Sequence, residues 1–183
     1  MRIDIDDTLV LLIDFQEKLV PVVAHKDELL KKLEILIRGL NVLEVPMIIT
    51  RQYPKGLGDT IAFIKKIASE DSLTLDKITF SCMDDEKIKE HVATSGRKTI
   101  IICGIEAHIC VLQTIIDLRE NGYNVVLVED CIASQRVLDY ETGLRRAYAE
   151  GAIPTTCEAI LFELTRKAGT DLFKEISNLV KQL

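Results

Sequence analysis

Apolar positions fall along this chain in two alternating rhythms. Short unbroken runs of β-branched and aliphatic residues are separated by stretches in which hydrophobes recur every three or four residues. Thr8-Leu9-Val10-Leu11-Leu12-Ile13-Asp14 is a run of the first kind, as is Thr99-Ile100-Ile101-Ile102-Cys103. Their continuity predicts strands buried on both faces, the signature of a parallel sheet covered by helices on each side. Leu29, Leu30, Leu33, Leu36, Ile37 and Leu40 keep helical spacing and predict a helix over about 27–43. Further strands are predicted at 46–50, 75–80, 124–129 and 152–157, the one at 75–80 alternating in polarity and so placed near a sheet edge. Helices are predicted near 61–68, 84–94, 109–122, 139–150, 158–168 and 171–182.

Strand and helix alternate without linker, repeat or low-complexity segment. The expectation is one domain over residues 1–183. Its fold class is α/β: a three-layer, doubly wound, Rossmann-like domain with a six-stranded, mostly parallel sheet and helices on both faces. Such sheets bind ligands outside the carboxyl ends of their strands. Asp14 ends the first strand, Lys77 lies on the third, and Cys110 follows the fourth at a strand-to-helix turn. Backbone N–H groups in a first helical turn lack intrahelical partners and favour negative charge, which predicts a lowered thiol pKa at Cys110. From position alone two readings stay open: a reactive thiol, or a small buried hydrophobe.

Composition narrows the classes. With 48% hydrophobic and 28% charged residues, 183 residues suffice for a substantial core. The formal charge of -6, without a Lys/Arg stripe, argues against nucleic acid as a partner. No apolar run approaches the ~20 residues that span a bilayer, and the opening Met1-Arg2-Ile3-Asp4 lacks the apolar core of a leader, so no membrane partner is expected. Five cysteines (82, 103, 110, 131 and 157), odd in number and without CxxC spacing, suit a reducing cytoplasm. Asp4-Ile5-Asp6-Asp7-Thr8-Leu9 imitates an aspartyl-phosphatase motif, but the apolar strand that motif needs comes after it instead of before. Neither a G-x-G-x-x-G nor a P-loop pattern occurs.

Four segments in order carry a resemblance: Leu12-Ile13-Asp14-Phe15-Gln16; Lys77 with Phe80-Ser81; Gly104-Ile105 with Cys110-Val111; and Val128-Glu129-Asp130-Cys131-Ile132-Ala133-Ser134. Together they resemble the isochorismatase-like cysteine hydrolase superfamily over nearly the whole chain. The loop Thr50-Arg51-Gln52-Tyr53-Pro54-Lys55-Gly56-Leu57-Gly58 and the turn Cys103-Gly104-Ile105-Glu106-Ala107 are similar to those of isochorismatase domain-containing proteins. The resemblance implies a catalytic triad of Asp14, Lys77 and Cys110. It also implies a cis peptide between Ile105 and Glu106, and an oxyanion hole from the Glu106 and Cys110 N–H groups.

Asp14 is expected to act as base, Lys77 to hold thiolate and carboxylate together, and Cys110 to form an acyl-enzyme. Gln16, Arg51, Gln52 and Tyr53 are expected to line the substrate pocket, with Ser134 and Gln135 as weaker contributors. His108, two residues before Cys110, reads as a turn residue or substrate contact, because positions i and i+2 of a helix face apart. Nicotinamidases of the same superfamily carry a metal site built from an aspartate and histidines, but residues 51–59 hold no histidine, so neither metal nor other cofactor is expected.

The function expected is hydrolysis of a small amide, acyl or carbamoyl compound. The alternative is a catalytically silent scaffold that retains the fold. Homo-oligomers are usual in the superfamily, and the apolar C-terminal segment from Ile160 to Val180 offers either an interface or simple packing on the sheet.

Overall fold

The computed structural model describes residues 1–183. Six strands form one sheet: β1 (Thr8–Ile13), β2 (Met47–Gln52), β3 (Leu73–Lys77), β4 (Thr99–Ile105), β5 (Asn124–Ala133) and β6 (Ile153–Thr155). Their spatial order is β3-β2-β1-β4-β5-β6, and every neighbouring pair is parallel. The one antiparallel contact is an isolated bridge between Gln16 and Thr60. The chain winds outward from β1 to β3, then returns to β4 on the other side of β1. The winding direction therefore switches between β1 and β4, where a parallel sheet leaves a crevice at its carboxyl edge.

The unbroken apolar runs serve both faces. Val10 and Leu12 of β1 join the core beneath α1 (Lys26–Val42), α3 (Ala62–Ile67), α7 (Cys157–Thr165) and α8 (Asp171–Val180). Leu9, Leu11 and Ile13 join the opposite core beneath α4 (Glu86–Thr94), α5 (Leu112–Glu120) and α6 (Val137–Ala149). Successive strand side chains point to opposite faces, so only a strand buried twice tolerates hydrophobes at every position. The C-terminal segment resolves toward packing: Ile160, Leu161, Leu164, Ile176 and Val180 are all buried in the first of these cores.

Three boundaries differ from the sequence expectation, and each bears on the crevice. β3 runs Leu73–Lys77 and not 75–80, so Lys77 ends the strand and 78–81 forms the loop beyond it. β5 continues past Glu129 to Ala133; its register with β4 shifts between Ile102 and Gly104, an irregularity that charged Glu129 and Asp130 conceal in the sequence. A one-turn helix, α2 (Pro54–Leu57), begins inside the loop after β2, with Pro54 at its first position.

Candidate active site

Close approach of β1 and β4 comes first, because it brings the two chemistry-bearing strand ends together. A methyl group placed on Gly104 would stand 2.5 Å from Cβ and 2.7 Å from the carbonyl oxygen of Ile13, so no other residue fits this register. The next residue after Ile13 is Asp14, whose φ of 57° lies in the left-handed region. Aspartate tolerates that conformation better than most residues, and it turns the side chain off the strand into the sheet edge.

Asp14 is fully buried, and both carboxylate oxygens are engaged. Thr50 Oγ1, from the end of β2, donates to Oδ1 at 2.7 Å, and Lys77 Nζ donates to Oδ2 at 2.7 Å. Neither side chain of the Asp14–Lys77 pair has any exposed surface. Lys77 thus departs from the solvated lysine typical of an edge strand. Its ammonium also reaches Gln52 Oε1 at 2.7 Å and the carbonyls of Phe80 and Thr79 at 3.1 and 3.2 Å. Three N–H donors face four acceptors, so Lys77 has none left for a ligand. Burial is the largest single influence and works against its charge, but the Asp14 carboxylate, Cys82 and Cys110 together hold the Lys77 pKa above its ordinary value.

Cys110 enters from β4. The peptide between Ile105 and Glu106 is cis, and residues Ala107–Val111 form a π-helical turn that leads into α5. Such wide turns often mark functional sites. Cys110 is 6% exposed, whereas the other four cysteines are wholly buried. Its thiol pKa runs opposite to the expectation: burial pushes it well above the ordinary value, the Asp14 carboxylate pushes it further, and Lys77 opposes them. The expectation weighed the helix terminus and the Lys77 charge; it omitted the loss of water and the opposing effect of the Asp14 charge on the thiol. At rest the group is a thiol beside a carboxylate, itself held by an ammonium.

The residues expected to contact substrate divide. Gln16 is fully buried; its Nε2 donates to the carbonyls of Gln52 and Gly58, and its Oε1 accepts from the Gln52 N–H. Gln52 holds Lys77 through Oε1 and the Ile78 carbonyl through Nε2. Both carboxamides are thus committed to the framework. Arg51 is tied to Asp76 at 2.6 Å and Asp59 at 2.7 Å; Lys65 first, and Arg51 after it, hold the Asp59 carboxyl down at about 2. Tyr53, 53% exposed, is the member of the four that stands free at the rim.

Sequence reasoning missed Thr50 as the second donor to Asp14, although it ends the β2 apolar run next to the loop that carries the resemblance. It also missed Cys82, whose N–H donates to Thr114 Oγ1 one turn beyond Cys110 and whose thiol burial pushes up to about 11. A cavity of about 280 Å³ opens elsewhere, between the start of α1 and the start of α6, where Ser134 and Val137 line it. None of Asp14, Lys77 or Cys110 reaches that cavity. No group of three His, Cys, Asp or Glu side chains converges in a way that could hold a metal ion.

Fold and crevice together define a doubly wound α/β protein with a buried acid–lysine pair facing a cysteine across the switch point. The chain belongs to the isochorismatase family: the Isochorismatase domain matches residues 8–159. Isochorismatase family protein 1A of Dictyostelium discoideum is 35% identical over 179 residues, covering 96% of this chain and 86% of the relative. The MAR1 ribonuclease structure from Caenorhabditis elegans superposes with a TM-score of 0.92 at 34% identity, over 99% of this chain and 93% of that one. The YcaC gene product of Escherichia coli, described as an octameric hydrolase of unknown specificity, superposes at 0.89 with 24% identity over 99% and 95% of the two chains.

Proposed function

We propose that this protein is a metal-independent cysteine hydrolase of a small amide, or another acyl or carbamoyl compound, with Cys110 as nucleophile. The observation that carries this reading is the fully buried Asp14–Lys77 pair, every contact of which is satisfied, set against the least buried of five thiols. A buried ion pair is weak evidence for stability, because desolvation offsets its attraction. Its placement against a thiol at the switch point is what catalysis requires and a scaffold does not.

In the proposed reaction the Cys110 Sγ attacks the acyl carbon while its proton passes to Asp14. The raised thiol pKa fits this order, since a free thiolate need not accumulate before attack. The Glu106 and Cys110 N–H groups are assigned to the oxyanion. Collapse of the tetrahedral intermediate breaks the C–N or C–O bond, and Asp14 returns the proton to the leaving group. Water, deprotonated by Asp14, then cleaves the thioester and regenerates the thiol. Lys77 is assigned to hold the carboxylate in place; Tyr53 is assigned to the substrate rim.

Homo-oligomerisation belongs to the same proposal. Exposed Tyr53, Ile78, Phe80, Val137 and Leu138 all follow the carboxyl ends of β2, β3 and β5, an apolar rim that a second subunit would cover. The cytoplasm, where five free thiols stay reduced, is the compartment proposed. No helix is long and apolar enough to cross a membrane. The C. elegans relative is named a ribonuclease, yet in this chain the formal charge is -6 and Arg51 is already paired with two aspartates. Nucleic acid is therefore left out of the proposal. Salt-sensitive RNA binding in a filter assay would reverse that.

The test uses 4-nitrophenyl acetate as a generic acyl donor, with intact-mass readout and peptide mapping. An acetyl group on Cys110 ahead of the other four cysteines, and its slow release in Asp14→Asn, are expected. Iodoacetamide alkylation against pH is the companion measurement. Absence of the acetyl adduct, with alkylation of Cys110 indifferent to Asp14→Asn and Lys77→Met, would refute the hydrolase and leave the scaffold.

A further inference from the structure

The turn that carries Cys110 is held from outside the triad. Where α6 crosses it, Gly143 is so close that a methyl group there would stand 3.0 Å from the carbonyl carbon and oxygen of Ala107 and from Cα of His108. All three contacts are backbone, so they cannot be relieved by turning a side chain. On the same turn His108 Nδ1 lies 3.1 Å from Ser134 Oγ, and Ser134 is 1% exposed. The other ring nitrogen, Nε2, lies 3.9 Å from Asp139 Oδ2 on α6, itself 3.7 Å from Arg136. Glu106, just before the turn, accepts the Gln135 N–H through Oε2 at 3.0 Å. Both flanks of Ala107 are thereby fastened to one segment, residues 134–143.

From these contacts we infer that Gly143, His108 and Ser134 are positioning residues for the nucleophile: they set where the Cys110 sulfur stands relative to Asp14. The inference rests on the hydrolase reading above. The turn is closed by i→i+5 bonds such as Val111 N–H to the Glu106 carbonyl at 3.3 Å, a rare, wide geometry that the packing of α6 braces from behind. The triad's acid and lysine are locked by short charge-assisted bonds; the sulfur has no comparable bond and takes its place from the backbone behind it. His108 does not serve as the base. Its two nitrogens face Ser134 and Asp139, while Asp14 already faces the thiol.

Gly143→Ala, His108→Ala, Ser134→Ala, the double His108→Ala/Ser134→Ala and the conservative His108→Asn are compared with wild type. The readouts are iodoacetamide alkylation of Cys110, turnover of 4-nitrophenyl acetate and thermal melting. Because sub-ångström misplacement of reacting groups costs rate steeply, Gly143→Ala should slow both reactions by about tenfold or more, in kcat with KM little changed. His108→Ala and Ser134→Ala should each slow them by roughly threefold to tenfold, and the double variant no further, since the two share one contact. Asparagine places a polar atom near the Nδ1 position, so His108→Asn should recover the rate to within about twofold.

A purely structural role would lower the melting temperature without the rescue and without the kcat effect. Should Gly143→Ala fail to fold, the His108–Ser134 cycle still decides. If all variants match wild type while Asp14→Asn and Lys77→Met shift the alkylation profile, the positioning inference is wrong and the hydrolase reading stands. If wild-type Cys110 is inert and the triad variants change nothing, the reading itself falls and takes the inference with it.

Discussion

The two sides of the crevice are built by different means. On the β1–β2–β3 side, Asp14, Thr50, Gln52, Lys77 and Gln16 form a buried polar network in which bonds of 2.7–2.9 Å recur and every carboxamide is used. On the β4–β5 side the cysteine stands on a turn shaped by close backbone packing, with Gly104 against Ile13 and Gly143 against Ala107. Charge fixes Asp14 and packing fixes Cys110. The first arrangement is strong but all-or-none, because a buried charge left without its partner is costly; the second fails gradually as atoms are displaced.

Removing one charge is the hardest test of that contrast. Lys77→Met should destabilise by about 3–5 kcal/mol, because the buried Asp14 carboxyl loses its only counter-charge. It should also move Cys110 alkylation to higher pH, since Lys77 is the group that lowers the thiol pKa. Asp14→Asn should move the profile the other way, to lower pH, because the carboxylate holds the thiol protonated. Chemical denaturation and pH-resolved intact mass measure both; shifts of equal sign in the two variants would break the charge account of that side.

Packing is tested next by Gly104→Ala, which drives a methyl into the Ile13 backbone and should cost about 1–3 kcal/mol while separating β1 from β4. Full retention of both stability and Cys110 reactivity would show that the strands yield freely. Gln16→Ala strips partners from the Gln52 N–H and from two carbonyls, a loss of roughly 1–3 kcal/mol. Limited proteolysis should then open the chain near residues 54–57 before global unfolding. Protection equal to wild type would mean the loop is held elsewhere.

The smallest effect lies in alkaline stability. Cys82 is raised from 9.0 to about 11 in the folded protein, chiefly by burial. A folded-state pKa above the unfolded one contributes stability that is complete below pH 9 and lost as pH rises towards 11. Cys82→Ala should flatten denaturant midpoints across that window relative to their value at pH 8, though Cys110 and Lys77 titrate in the same direction and preserve part of the slope. An unchanged slope would remove Cys82 from the account.

Much of this architecture is legible in one dimension. Continuous apolar runs at 8–13 and 99–103 require burial on both faces, that requires helices on both sides, and alternation then leaves few windings. Asp14 and Cys110 are readable as positions at strand ends, and Lys77 as a residue on the third strand. Where β3 stops is not, because a loop that begins at Ile78 carries the same alternating residues as the strand before it. Nor is the extension of β5 through Glu129 and Asp130, whose charges look like a strand's end until a register shift accommodates them. Gln16 and Gln52 reveal the limit most plainly: polar residues beside a functional motif read as substrate contacts, yet their partners are the Lys77 ammonium and backbone groups 25–42 positions away.

Residue type and spacing alone determined the layers and the parallel sheet, because those follow from burial periodicity; the choice of acid, lysine and thiol rested on the family resemblance of the motifs around them. Tertiary structure decided which side chains meet, and with that the sign of the Cys110 shift. A pKa depends on the water excluded and the charges within a few ångströms, and neither is a property of a residue's neighbours in the chain.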